Sequence, residues 1–446
     1  MNTPIYDFAH RYAGSGAVRM HMPGHKGKPL LGCEAFDLTE ISGADELFAP
    51  EGIIAESEAN ASMLFGCRTL YSAEGSSLCI RAMLYLIMQY AAVSGRKPLI
   101  AAGRNVHKTF LSAAALLQLE ILWLEQDPAD SYLSAGFSAA ATETLSALET
   151  KPAALWLTSP DYSGNLADLR TAAAFCHAHG ILLVVDGAHG AYLRFLDTSL
   201  HPADLGADLC CTSAHKTLPV LTGGAYLHIA DRAPALFREN ARQAMAMFAS
   251  TSPSYLILES LDLCNRYLHS EFAEELSSLL RQLTNIRTLL QKQGWTLCGT
   301  EPMKLTLKTK PFGYTGTEVA EILKAQDILA EFADPDYLVL MPSPCSTPEE
   351  LQRVCKTLCA IPQREPHPEK TPALSGAHKQ AMPLSGILRV RSESLPVENC
   401  AGRICAEFSV SCPPAVPIVI CGERITETDI RCMQYYGIRF CRVVAE

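Results

Sequence analysis

Several marks of common protein classes are missing from this chain of 446 residues. Met1-Asn2-Thr3-Pro4-Ile5-Tyr6-Asp7 does not read as a signal peptide. No apolar stretch reads as long enough to cross a membrane, so a cytoplasmic chain without a membrane partner is expected. Positive charge is scarce: 37 Lys and Arg against 47 Asp and Glu leave a formal charge of -10, which argues against nucleic acid as a partner. An acidic balance suits attraction of cationic ligands, and it equally suits a solvated acidic surface. The 17 cysteines are scattered, odd in number and never spaced Cys-x-x-Cys, so neither a disulfide framework nor a metal site is expected and most should be small buried apolar residues. Cys210 and Cys211 stand apart, close enough to Lys216 for oxidation there to affect function. No internal repeat is present.

What is there is apolar and periodic. A hydrophobic content of 48% in a chain of this length can fill more than one core. Residues 1–54 read as an irregular N-terminal segment and 55–255 alternate helix and strand patterns, implying an α/β domain with a mainly parallel sheet covered on both faces. Residues 256–361 read as a linker helix and a small α+β domain. Leu256 to Leu290 carries apolar residues at helical spacing, followed by strands at Met303–Leu307, Ile328–Phe332 and Tyr337–Met341 and helices at Thr317–Lys324 and Pro348–Leu358. Residues 362–386, rich in Pro, His, Lys and Gly, read as a linker, and 387–446 as a final small domain.

Four short segments carry chemistry. Lys216, in Ser213-Ala214-His215-Lys216-Thr217-Leu218, follows the apolar run Asp208-Leu209-Cys210-Cys211-Thr212. An ammonium there is costly to bury, which favours a free amine able to bond an aldehyde cofactor such as pyridoxal phosphate (PLP); alternatively the lysine caps a strand in solvent. Ile181-Leu182-Leu183-Val184-Val185-Asp186 reads as a strand buried on both faces, ending in a carboxylate at the strand's carboxyl end, where such sheets bind ligands. Asp186 there either holds a pyridine nitrogen or caps the next loop. Gly75-Ser76-Ser77 opens an apolar helix and reads as a phosphate cup or as an ordinary helix start. His107, in Gly103-Arg104-Asn105-Val106-His107-Lys108, sits where an imidazole could stack on a flat ring, though a loop histidine usually does not.

In order and spacing the chain resembles the ornithine/lysine/arginine decarboxylases of PLP fold type I (aspartate aminotransferase-like), especially their short form without an N-terminal wing domain. The likeness runs through Arg19-Met20-His21-Met22-Pro23-Gly24-His25-Lys26-Gly27, Thr39-Glu40-Ile41-Ser42-Gly43-Ala44-Asp45-Glu46-Leu47-Phe48-Ala49-Pro50-Glu51-Gly52, the four segments above, with that of Asp186 continuing as Asp186-x-Ala188-His189-Gly190, and Ser252-Pro253-Ser254-Tyr255. The resemblance implies Lys216 as the cofactor-bearing lysine with His215 beside it. It also implies Ser213, Gly75, Ser76 and Ser77 at the phosphate, Asp186 at the ring nitrogen, and Ala188 and His107 on the two faces of the ring. His215 or Lys216 would return a proton to the α carbon. The activity implied is decarboxylation of a basic amino acid, arginine or lysine before ornithine, toward polyamine synthesis, in a homodimer whose sites form between subunits.

The departures from the pattern matter too. Glu74 replaces the usual asparagine before the cup, placing a carboxylate near a phosphate unless it turns away. Cys412-Pro413-Pro414-Ala415-Val416-Pro417 and Cys421-Gly422-Glu423 are altered forms of family segments. A basic substrate needs a carboxylate for its distal charge, and Asp161, Glu46 and Glu74 are the candidates. Two other readings stay open: another fold type I reaction, aminotransferase or lyase, and a catalytically silent homologue with a binding or regulatory role.

Overall fold

The computed structural model describes residues 1–125, 131–374, 378–409 and 414–446. They fall into two compact units, each built from two stretches of chain: Met1–Lys97 with Leu169–Glu274, and Pro98–Asp168 with Glu275–Glu446. In chain order the strands are β1 (Arg68–Ser72), β2 (Leu99–Ala102), β3 (Glu120–Trp123), β4 (Ala154–Thr158), β5 (Leu182–Asp186), β6 (Leu209–Thr212) and β7 (Ala225–Ile229), followed by β8 (Thr296–Cys298), β9 (Leu305–Lys308), β10 (Phe332–Ala333), β11 (Tyr337–Leu340), β12 (Ser392–Pro396) and β13 (Phe440–Val444).

In the first unit the strand order is β1-β7-β6-β5. β5 and β6 run parallel, with Asp186 opposite Cys211, while β7 is antiparallel to both β6 and β1. Every residue of β5, β6 and β7 is buried, as their unbroken apolar sequences require of strands covered on both faces. The helix Gly75–Val93 is long and apolar enough to span a membrane by composition, contrary to the expectation from the sequence. Arg81 interrupts the run, yet Leu78, Ile80, Met83, Leu84, Leu86 and Ile87 are buried in this unit, so the apolar length is core.

Two histidines sit in that core. His228 places Nδ1 3.0 Å from the Thr69 hydroxyl and Nε2 2.9 Å from that of Thr212, and its ring lies 4.7 Å from those of Phe65 and His201. Burial pushes His201 down to about 4 and His228 well below its ordinary value. Both are therefore neutral when folded, whereas the unfolded chain takes up protons below about 6.5. Their stability contribution is complete above that value and is lost as pH falls from there toward 4. The buried carboxylates Glu259 and Asp262, pushed up to about 8 and about 6 by burial, work in the opposite direction. The histidine share is thus read as a difference. The stability advantage of wild type over His201→Phe, measured by urea denaturation, should shrink by about 2–3 kcal/mol between pH 7 and pH 4. A constant difference would contradict it.

The N-terminal segment is not wholly irregular: Pro4–Gly14 is a helix. Its start is secured from far along the chain, because Asp262 Oδ2 accepts from the N–H groups of Ile5 and Tyr6 at 2.9 and 3.1 Å. The stretch after Tyr255 is two helices, Tyr255–Ser270 and Phe272–Lys292, broken at Glu271.

In the second unit, β2 lies between β4 and β3, all parallel. A separate antiparallel sheet has the order β10-β11-β9-β8. It belongs with the helices Gly316–Lys324 and Pro348–Ala360, each opened by a capping box, Thr315 with Glu318 and Thr347 with Glu350. The strand expected over Ile328–Phe332 is reduced to Phe332–Ala333. The preceding helix closes instead through Ile328 N–H donating to Leu323 O, with Asp327 in the left-handed region. β12 and β13 pair around a core of Val397, Cys405, Ile425 and Val443.

Candidate active site

Because β5 and β6 run parallel, their carboxyl ends share one edge of the sheet, and the sequence after each forms the site there. After β5 come Gly187, Ala188, His189 and Gly190. After β6 come Ser213 and the single turn Ala214–Thr217, which carries His215 and Lys216. The two connections are joined by Ser213 N–H donating to Ala188 O at 3.1 Å. Lys216 is half-buried, and its Nζ lies 3.1 Å from Nε2 of His189, itself only 7% exposed. Sequence reasoning left His189 out of the site, although it stands inside the Asp-x-Ala-His-Gly segment. No feature of that segment shows which way its ring turns.

Asp186 is 3% exposed. Its Oδ1 accepts from Ala188 N–H at 3.2 Å and from the Cys211 thiol at 3.7 Å. Burial raises its pKa, and the positive charge of Lys216 opposes the rise. Its hydrogen bonds come from an amide and a thiol, and a protonated pyridine nitrogen would supply such a buried carboxylate with a charged partner.

The third part is the start of the helix Gly75–Val93. Gly75 adopts φ +70°, its N–H donates to Gly223 O, and no atom lies within 4 Å of where a side chain would begin. The N-cap residue Glu74 makes no side-chain cap bond, so no side chain there closes off the first-turn N–H groups. Ser213 Oγ donates to Ser76 Oγ at 2.9 Å, bringing the hydroxyl after β6 to the helix start. Ser77, half-buried, occupies the next position. Open space, an N-terminal dipole and converging hydroxyls suit a phosphate. With Asp186 and Lys216 on the same unit, the donor set fits PLP.

Glu74 turns away from the cup: it is exposed, and its Oε1 accepts from Ser250 N–H at 2.7 Å. Glu74→Gln should therefore change PLP affinity by less than about 0.5 kcal/mol in an equilibrium titration, the scale of an ordinary surface change. A gain of about tenfold would show that its charge does oppose the phosphate.

His215 is half-buried with Nδ1 3.0 Å from Gly224 O, and burial lowers its pKa. Cys210 and Cys211 are fully buried, and burial drives both thiols well above their ordinary value. The expected sensitivity to oxidation is not supported, since the thiolate is the reactive form.

In the second unit His107 caps the helix Lys108–Leu116, its Nδ1 accepting from Thr109 N–H at 3.2 Å. Asp161 does not serve as a candidate for substrate charge. It is 3% exposed and its carboxylate organises its own loop, accepting from Ser163 Oγ, Asn165 N–H and Asn165 Nδ2 at 2.9 to 3.1 Å. Glu46, in the first unit, is exposed. The working carboxylate of that segment is its neighbour Asp45, which accepts from the N–H groups of Glu46, Glu51, Gly52 and Ile54 and so anchors the helix Ile53–Phe65. Cys412 and Pro413 lie outside the described residues. Ala415 O accepts from Lys108 N–H at 2.9 Å, and Glu423 meets Arg104.

A family model described as Orn/Lys/Arg decarboxylase, major domain, matches residues 3–306, and one described as Orn/Lys/Arg decarboxylase, C-terminal domain, matches residues 368–442. An uncharacterized protein of Bacillus subtilis, YaaO, is 29% identical over 459 residues, covering 97% of this chain and 93% of that one. An arginine decarboxylase of the same organism is 29% identical over 462 residues, covering 96% and 92%. Among solved structures, the constitutive lysine decarboxylase of E. coli superposes with a TM-score of 0.79 at 16% identity, covering 100% of this chain and 82% of that one.

Proposed function

The chain belongs to the Orn/Lys/Arg decarboxylase family, PLP-dependent enzymes of fold type I that decarboxylate basic amino acids, and from that premise we propose that its substrate is arginine. The support is the name arginine decarboxylase carried by relatives that align over nearly its whole length. The observation that carries the site assignment is the convergence of Lys216, His189 and Asp186 at one sheet edge with the Gly75–Ser77 helix start beside Ser213.

When bound, PLP supplies an electron-withdrawing ring conjugated to the substrate α carbon, which takes up the electron pair left as carbon dioxide departs. The residues of this chain do the rest. Ser76, Ser77, Ser213 and the first-turn N–H groups would hold the phosphate. Asp186 would keep a proton on the ring nitrogen, and that positive charge would offset the cost of burying the carboxylate. Ala188, two residues after Asp186, would lie against one face of the ring, and the resemblance assigns His107 to the other. His189 Nε2, 3.1 Å from Lys216 Nζ, would orient that amine for cofactor attachment. Lys216 would hold the cofactor through its amine and, once that amine is free, would return a proton to the α carbon. It suits that task better than His215, whose burial disfavours the protonated form.

A cytoplasmic homodimer with shared sites accompanies this reading. Met20 and Leu31, 86% and 89% exposed in the segment after the first helix, offer apolar surface for a second subunit. Of the two motives for the silent-homologue alternative, Glu74 and the altered C-terminal segments, the first falls away because Glu74 turns toward Ser250. The deciding experiment is carbon dioxide release by PLP-loaded protein from arginine, lysine and ornithine in separate reactions. Release from arginine at a kcat/KM at least about tenfold above the other two is expected. Preference for lysine would overturn the substrate assignment, and release from none would overturn the proposal.

A further inference from the structure

We infer that Glu423 is a positioning residue for His107, acting through Arg104; the inference rests on the reading of His107 as a group that stacks on the cofactor ring. Arg104 stands three residues before His107 in the short connection between β2 and the helix Lys108–Leu116. Its two terminal nitrogens donate to both oxygens of Glu423 at 2.7 and 2.8 Å, with the side chains only 14% and 1% exposed. A buried, two-pronged guanidinium–carboxylate pair fixes direction as well as distance, and such pairs set registry more than they add stability. The same C-terminal stretch grips the connection again on the far side of His107, where Lys108 N–H donates to Ala415 O at 2.9 Å. His107 is thus bracketed by two contacts from the C-terminal part of its own unit.

Glu423 is itself held rigidly enough to transmit position. Its Oε2 also accepts from Ile420 N–H at 3.0 Å, and its backbone carbonyl accepts from Cys405 N–H at 2.8 Å. Gly422 has φ +90° and brings Met382 O within 2.2 Å of where a Cβ would stand, so only glycine allows the turn that presents Glu423. Behind the carboxylate, the buried His378 has Nε2 2.9 Å from Asp429 Oδ1 and Nδ1 3.9 Å from Glu423 Oε2. Asp429 in turn closes the capping box of the helix Glu427–Tyr435 with Thr426. The series Arg104, Glu423, His378 and Asp429 joins the His107 connection to the start of the last helix. Two sequence segments some three hundred residues apart, Arg-Asn-x-His-Lys and Cys-Gly-Glu, therefore meet as one device.

The test is a double-mutant cycle on the PLP-loaded protein, read by visible circular dichroism of the bound cofactor, which reports how the ring is held. Glu423→Gln keeps the side-chain shape and removes the charge. It is expected to bind PLP in full stoichiometry and lose roughly half or more of the cofactor ellipticity, the loss also expected of His107→Ala, and to add nothing when combined with His107→Ala. An unchanged signal in Glu423→Gln, or a loss that adds in full to that of His107→Ala, overturns the inference. If His107→Ala leaves the signal unchanged, the stacking reading fails and takes the inference with it. Arg104→Lys, which keeps charge but not the two-pronged geometry, passes through the same cycle should Glu423→Gln fail to fold.

Discussion

Lys216→Ala is expected to lower carbon dioxide release from arginine by roughly a thousandfold or more, since one substitution removes both the proposed attachment point of the cofactor and the acid proposed for the α carbon. The geometry makes the loss specific to that amine. Lys216 sits on a single helical turn after the fully buried β6, and its Nζ meets His189 Nε2 at 3.1 Å. Shortening the side chain leaves the backbone bond from its neighbour Ser213 to Ala188 intact. Borohydride treatment followed by denaturation should leave cofactor on the wild-type chain and none on the variant. Added methylamine should restore part of the rate by replacing the missing amine. Full activity in Lys216→Ala would exclude it from the reaction.

Asp186→Asn should lower the rate by about 10²–10³-fold, the usual effect of removing one preorganised charge from a site. The amide can still accept from Ala188 N–H, but it cannot stabilise a proton on the ring nitrogen. Stability should move the other way. Burial already raises the pKa of Asp186, so the neutral isostere relieves a cost of folding and the cofactor-free variant should melt no lower than wild type. A slower enzyme that is at least as stable separates a functional carboxylate from a structural one. A variant that is both fast and stable would remove Asp186 from the mechanism.

Much of this site was legible because its constraints are local. Leu182 to Val185 can only be a strand buried on both faces, so Asp186 had to stand at a strand end. The apolar run before Lys216 and the Gly-Ser-Ser helix start are equally local signals. What the sequence did not show depends on partners distant in the chain. The helix Pro4–Gly14 relies on Asp262, a cap that no inspection of the first fifty residues could supply. The break at Glu271 carries no proline or glycine to announce it. Asp161 looked available to a ligand because its loop follows a strand. Its oxygens are occupied by Ser163 and Asn165, which sequence proximity alone does not reveal. His189 lay inside a recognised motif, yet only the turn after β5 directs its ring to Lys216. Glu74 showed the reverse: its residue type suggested repulsion of a phosphate, and its rotamer removes it.

Each unit is assembled from two separated stretches, and this bears on how the protein can be made. During synthesis the first 97 residues emerge with β1 and the apolar helix Gly75–Val93, but the strands that flank and cover them arrive only with residues 169–274. At about 5–20 residues per second, that delay is roughly ten seconds or more, during which the helix has no finished core to enter. The nascent chain should therefore engage holding chaperones on the ribosome. A single cut in the gene will not yield either unit as an autonomous fragment.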